Sequence, residues 1–131
     1  MLLITAFFAS ILALIYVKLS RNVIMLRREH KISLGIGKSK DLEKAIRAQA
    51  NFNEYVPIGL ILLGCLEINN FNQIIIFTSG GLLLVGRFMH AKSFLKDEMD
   101  VTLRVNGMKC TFWSLRILAG LNIFAIVMAL I

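Results

Sequence analysis

Proline is almost missing from this chain: Pro57 stands alone among 131 residues. Charge is scarce as well, at 18% of residues, where a soluble domain carries about a quarter. The charged residues that are present cluster and leave long apolar segments, for which a small soluble core has no room. Cysteine occurs twice, as Cys65 and Cys110. The pair lacks metal-ligand spacing and falls in or beside apolar segments, so both read as small buried hydrophobes and no metal site is expected. No low-complexity linker and no internal repeat is evident, so residues 1–131 read as a single domain. What is abundant is apolar side chain, 57% of the sequence, with a mean hydropathy of +0.73.

The net charge is +7. A nucleic-acid partner is excluded, because the basic residues sit in short connections between apolar runs. In a membrane protein such an excess reports topology and contact with anionic lipid headgroups. A helix needs about 20 residues to cross a hydrocarbon core ~30 Å thick, and four spans are expected, at about 2–26, 45–66, 71–94 and 106–131. The first, wholly uncharged over Leu2–Val17, resembles a signal peptide superficially. It lacks a basic leading region and a small-residue cleavage site, and Lys18 and Arg21 follow it, so it reads as an uncleaved span. The second is less obvious. Its apolar part, Val56–Leu66, is too short to cross, and extending it back to Ala45 brings in Arg47, Gln49, Asn51, Asn53 and Glu54. Arg87 and His90 lie near the end of the third span, and Arg116 lies inside the fourth.

The connections differ in charge. The first, Arg27 to Arg47, holds seven Lys/Arg (Arg27, Arg28, Lys31, Lys38, Lys40, Lys44, Arg47), with Leu34-Gly35-Ile36-Gly37 suited to a turn. The second, Glu67 to Gln73, holds none. The third, Lys92 to Lys109, holds four (Lys92, Lys96, Arg104, Lys109), offset by Asp97, Glu98 and Asp100. The positive-inside rule puts the first and third connections in the cytoplasm and both termini on the other side. Arg27/Arg28, Arg47–Glu54, Arg87/His90 and Arg104 then all lie at the cytoplasmic end.

On a helix turning 100° per residue, Arg47, Asn51 and Glu54 follow i, i+4, i+7 and share one face. Tyr55 lies beside that face, Gln49 points almost the opposite way, and Pro57 is placed to bend the helix just beyond it. Burying a guanidinium and a carboxylate at membrane depth is costly unless they are paired or functional. One reading is an Arg47–Glu54 network that stabilises the bundle. The other is a cradle for a small zwitterionic ligand, with Arg on a carboxylate, Glu on an amine and Asn on amide groups. Arg87, His90 and Phe94 share a face of the third span, where His90 reads either as an interfacial or core histidine or as part of that cradle. Arg104 reads either as a positive-inside anchor or as a site residue. Arg116, about three turns deeper, is expected to snorkel or to pair inside the bundle.

The segment Arg47-Ala48-Gln49-Ala50-Asn51-Phe52-Asn53-Glu54-Tyr55-Val56-Pro57 resembles the signature of the MAPEG family, the membrane-associated proteins in eicosanoid and glutathione metabolism. It is especially close to the form R-A-Q-x-N-x-x-E-Y-x-P of leukotriene C synthase. Val23-Ile24-Met25-Leu26-Arg27-Arg28 resembles the end of that family's first helix, Gly86-Arg87-Phe88-Met89-His90 a G-R-x-x-H motif of its third, and Leu103-Arg104 the arginine preceding its fourth. The resemblance implies an all-α integral membrane four-helix bundle assembled as a homotrimer, with glutathione at each subunit interface near the cytoplasmic end. It implies that Arg47, Asn51, Glu54 and Tyr55 bind glutathione from one subunit, with Arg87 and His90 as further contacts. Arg27 and Gln49 would reach it from the neighbour, with Arg28 beside them, and Arg104 would activate the thiol.

Two differences narrow the expectation. His90 and Phe94 stand where family enzymes often carry aromatic hydroxyls. Val105 and Ala50 replace a serine and a second arginine of prostaglandin E synthase. The expected activity is therefore a glutathione transferase or peroxidase acting on a lipophilic electrophile or hydroperoxide, in a bacterial inner membrane. A non-catalytic trimer of the same fold and a small four-span transporter are the alternatives. The transporter is disfavoured because small multidrug exporters need a carboxylate in the first span, and Leu2–Val17 has none.

Overall fold

Apolar chain in a medium without water must satisfy its backbone internally, and helices do so within each segment. The computed structural model describes residues 1–94 and 99–130. Four helices account for nearly all of them: α1 (Leu3–Glu29), α2 (Lys40–Ile68), α3 (Gln73–Ser93) and α4 (Val101–Leu130). At 1.5 Å per residue the shortest, α3, is about 32 Å long, enough to cross a bilayer. The chain runs up and down through short connections. Lys96, Asp97 and Glu98, read above as part of the third connection, lie outside the described residues.

The outer surface is a membrane surface. Leu14, Val17, Ile61, Phe77, Trp113, Ile123 and Val127 are all exposed, and a face this apolar belongs in lipid or against protein. Burial is confined to narrow stripes. On α4 it falls on Gly107, Thr111, Ser114 and Leu118, spaced as one helical ridge. On α1 it falls on Phe8, Leu12, Leu19 and Val23.

Three helices, α1, α3 and α4, are long and apolar enough to cross on their own. The second is not among them, because its first half carries Asp41, Glu43, Lys44, Arg47 and Glu54. It begins at Lys40, one and a half turns before the expected Ala45, where Ser39 caps it by accepting from the Leu42 N–H. It continues unbroken through Pro57. This most polar helix is central together with α3: each of the two packs on the other three helices, while α1 and α4 do not pack on each other. Leu42, Phe52, Leu63 and Leu66 fill its inner faces.

The α3–α4 contact is backbone against backbone. A Cβ on Gly86 would stand 2.8 Å from the Gly107 carbonyl oxygen, and one on Gly107 would stand 2.7 Å from the His90 nitrogen. Small residues permit this approach, and hydroxyls add to it: Ser114 Oγ donates to the Ser79 carbonyl at 2.8 Å. In the first connection Gly35 and Gly37 take positive φ, 71° and 55°, as the turn reading requires.

The α1 N-terminus has no side-chain cap of its own. Its free N–H groups are met from the far end of α2, where Glu67 accepts from Ile4 N at 2.8 Å and from Thr5 N and Oγ1 at 2.7 Å. The carboxylate supplies the negative charge a helix start favours.

Three expectations need correction. Arg104 does not precede the fourth helix: Asp100 Oδ1 accepts from Leu103 N and starts α4 at Val101, so Arg104 sits in its first turn. Cys65 is exposed rather than buried, because α2 turns that face away from α1, α3 and α4. Of the two readings of Arg116, pairing inside the bundle is the one the structure rejects. Arg116 is exposed, with its guanidinium 5.4 Å from the centre of the Trp113 ring, a contact that partly offsets its isolation.

Replacing Gly107 by Leu forces α3 and α4 apart and is expected to cost about 1–3 kcal/mol. Glu67→Leu leaves the α1 N-terminus uncapped and is expected to cost about 1–2 kcal/mol, with Glu67→Gln falling between it and wild type. Thermal unfolding in detergent measures both.

Candidate functional site

The first half of α2, the end of α3 and the start of α4 meet at one end of the bundle. There Arg47, Ala50, Asn51, Glu54, His90, Phe94 and Arg104 line a small polar cavity of about 40 Å³. The i, i+4, i+7 stripe delivers the three α2 residues. One further turn of α3 carries His90 and Phe94, whose rings lie 5.3 Å apart. From α4, Arg104 lays its guanidinium 5.4 Å from the centre of the Phe94 ring, and its Nη1 donates to Met99 Sδ at 3.6 Å.

Arg47, Glu54 and Arg104 are exposed, whereas His90 is buried. Among the described residues no ion pair joins Arg47 to Glu54, so the two do not form the bundle-stabilising network weighed above. Both charges stay open to an incoming group.

Arg87 is fully buried, at 0% exposure, and does not line the cavity. Its Nη1 donates to Asn51 Oδ1 at 2.9 Å and to the Asn51 carbonyl at 3.2 Å. Nε donates to Thr111 Oγ1 at 3.0 Å and Nη2 to Met108 Sδ at 3.1 Å. The Tyr55 ring covers it at 5.3 Å. Tyr55 thus serves as one wall of the Arg87 chamber, and its other edge meets Phe112.

The Asn51 amide is consequently fixed in orientation. With Oδ1 engaged by Arg87, Nδ2 faces Glu54 Oε2 at 3.5 Å. Asn51 therefore offers the cavity a donor, and Glu54 offers an acceptor.

The other expected site residues lie apart from this cavity. Gln49 is on the opposite face of α2, its Nε2 donating to Ser20 Oγ of α1 at 3.0 Å. Arg27 turns to the first connection, where Nη1 donates to the carbonyls of Ile32, Ser33 and Gly35, the last at 3.0 Å. Arg28 is exposed on the last turn of α1. Within one chain, Arg47, Asn51, Glu54, His90 and Arg104 are gathered, and Arg27, Arg28 and Gln49 are not.

Thr111 and Met108, which help to hold Arg87, were not singled out from the sequence. The signal for Thr111 is the small-residue spacing Gly107, Thr111, Ser114, which marks the face of α4 turned to α3.

The sequence match agrees with this geometry. Residues 5–124 match the MAPEG family. The chain belongs to that family. This MAPEG chain is also similar to the inner membrane protein YecN of Escherichia coli K12, with 30% identity over 122 residues that cover 93% of this chain and 92% of that one. The YecN protein of Escherichia coli O6:H1 matches to the same extent. Membership and three self-sufficient apolar helices together make it an integral membrane protein.

Arg87→Ala is expected to leave a cavity beside unsatisfied Asn51 and Thr111 oxygens and to lower stability by about 2–4 kcal/mol. Arg47→Ala, at an exposed position, is expected to change it by less than about 0.5 kcal/mol. Thermal unfolding of the two variants side by side makes the comparison.

Proposed function

We propose that this MAPEG chain is a glutathione-dependent membrane enzyme, a transferase or peroxidase acting on lipophilic electrophiles or hydroperoxides. The observation that carries the reading is the convergence of Arg47, Asn51, Glu54, His90 and Arg104 from three helices on one polar cavity. A zwitterionic thiol peptide matches these groups. Arg47 takes a carboxylate as a planar two-pronged donor. Glu54 takes an ammonium, and the oriented Asn51 amide donates to a peptide carbonyl. Arg104 sits across the cavity from the α2 stripe, where a guanidinium favours a thiolate over a thiol. The thiolate is the nucleophile in either reaction: on an electrophile it forms a thioether as a leaving group departs or a strained ring opens, and on a hydroperoxide it takes the terminal oxygen as a sulfenic acid and releases the alcohol, a second glutathione then giving the disulfide and water.

The cavity in one chain, about 40 Å³, holds little more than a water, whereas small-molecule sites measure about 300–1,000 Å³. In this reading it is half of a site, closed by a second subunit of a homotrimer. Arg27, Arg28 and Gln49, which face away from the cavity of their own chain, would serve the neighbour's. The positive-inside rule turns this end to the cytoplasm and both termini outward. Similarity to YecN, an inner membrane protein, supports a bacterial inner membrane.

The test is glutathione binding and thiolate absorbance of the purified protein in detergent. Glu54→Ala and Arg47→Ala are each expected to weaken binding by about 10- to 100-fold, the loss of one charged hydrogen-bonded contact. Arg104→Ala is expected to keep much of the binding and to lose the thiolate signal. Absence of saturable binding by wild type overturns the proposal. Binding without turnover of any generic electrophile or hydroperoxide favours a non-catalytic trimer instead, for which the loss of an aromatic hydroxyl at Phe94 is the structural hint.

A further inference from the structure

A cavity larger than the polar one lies elsewhere on the bundle. A groove of about 740 Å³ runs between α1 and α3 on the outer face of the bundle. Its walls are apolar over most of their length, from Leu14 and Ile15 through Leu19 to Phe88 and Ala91. Lys18, Arg21 and Asn22 interleave with Leu19 and Met25 in the second half of α1, and Lys92 joins them from the end of α3. No acidic side chain is among its described lining residues. Neither the reading of the polar cavity nor the packing of the four helices uses these cations: Lys18, Arg21 and Lys92 are all exposed and none is in an ion pair with a described residue.

Depth fixes what such a groove meets. From the start of α1 at Leu3, Lys18 lies about 22 Å along the helix axis and Arg21 about 27 Å. Lys92 lies about 28 Å from the start of α3 by the same rise. The hydrocarbon core is ~30 Å thick, so the two helices bring their cations to one level, where hydrocarbon gives way to headgroups. The apolar part of the groove then lies alongside one leaflet's acyl chains.

We infer that this groove is a specific site for one anionic phospholipid, its phosphate held by Lys18, Arg21 and Lys92 and an acyl chain laid along the α1–α3 wall. Asn22 supplies an amide for the ester or glycerol oxygens next to the phosphate. The choice of occupant follows from charge. The same end of this chain carries the seven Lys/Arg of the first connection against Glu29, Asp41 and Glu43, within a net charge of +7, so a second copy brings a net like charge to the three cations. A zwitterionic headgroup adds an ammonium to the same spot. A phosphodiester with no compensating cation fits, and a basic residue near the surface contributes about 1 kcal/mol toward such a lipid. The inference is independent of the glutathione reading.

The test uses full-length protein in its native oligomeric state in a mild detergent, titrated with phosphatidylglycerol or with phosphatidylcholine of identical chains. Native mass spectrometry counts bound lipid, and thermal unfolding reads the stabilisation. The expected result is one saturable phosphatidylglycerol per chain, bound at least about tenfold more tightly than phosphatidylcholine. Lys18→Gln/Arg21→Gln is expected to erase that preference, and Lys92→Gln to reduce it. Lys38→Gln/Lys40→Gln, in and beside the first connection, is expected to leave it unchanged. Val17→Trp, at an exposed position on the groove wall, is expected to weaken both lipids while the cations remain. All of these positions are exposed, and a monodisperse elution profile checks that each variant is folded. Equal affinity for the two lipids overturns the inference. So does a loss in the Lys38/Lys40 variant equal to that in the Lys18/Arg21 variant, which indicates diffuse attraction. Failure of the assembled wild type to retain any phosphatidylglycerol also overturns it and indicates that a second copy covers the groove.

Discussion

The bundle is organised around one buried cation. Arg87 has no access to solvent, and its guanidinium ties α3 to α2 through Asn51 and to α4 through Thr111 and Met108. A bare guanidinium at this depth costs several kcal/mol. The surrounding acceptors and the Tyr55 ring offset that cost only when all three helices are in register. The closeness of α3 and α4 at Gly86 and Gly107 is part of the same arrangement, because it brings Thr111 within reach of Nε. A displaced α4 would leave Arg87 short of a partner, so the packing and the hydrogen bonds enforce each other.

The same residue gives the polar stripe on α2 a fixed pattern of donors and acceptors in place of a mere set of charges. Asn51 is shared between the interior and the cavity. Its oxygen is engaged by Arg87, and its amide nitrogen is turned toward Glu54. The cavity therefore inherits its pattern of donors and acceptors from the core of the bundle, and it does so before any ligand arrives. Arg47 and Arg104, by contrast, are exposed at the rim.

Much of this was legible in the sequence, for reasons that differ between elements. Hydropathy is a direct measure of what lipid selects, so α1, α3 and α4 declare themselves. The polar α2 was placed by extending its short apolar run Val56–Leu66 back to a spanning length, and its start was missed because Ser39 and the acidic first turn lie outside any apolar window. Arg104 was set before the fourth helix for the same reason: the cap at Asp100 precedes the apolar stretch by several residues. Spacing put Arg87 on a face with His90, but depth within a bundle is a tertiary property. The sequence carries no direct mark that Arg87 turns inward and Arg27 turns back to the loop carbonyls. Cys65 was misplaced in the same way, since an apolar helix gives little sign of which of its sides meets lipid.

The small-residue seam has a consequence for how such a chain can diverge. Gly86, Gly107 and Thr111 admit no larger side chain, and Arg87 admits no shorter one. Arg47, Glu54 and Arg104 carry no packing obligation, since each is exposed. Frame and rim are thus separable: the exposed groups at the rim can be exchanged while the scaffold that presents them stays constant. A chain built this way can change what its rim presents at little risk to its own folding.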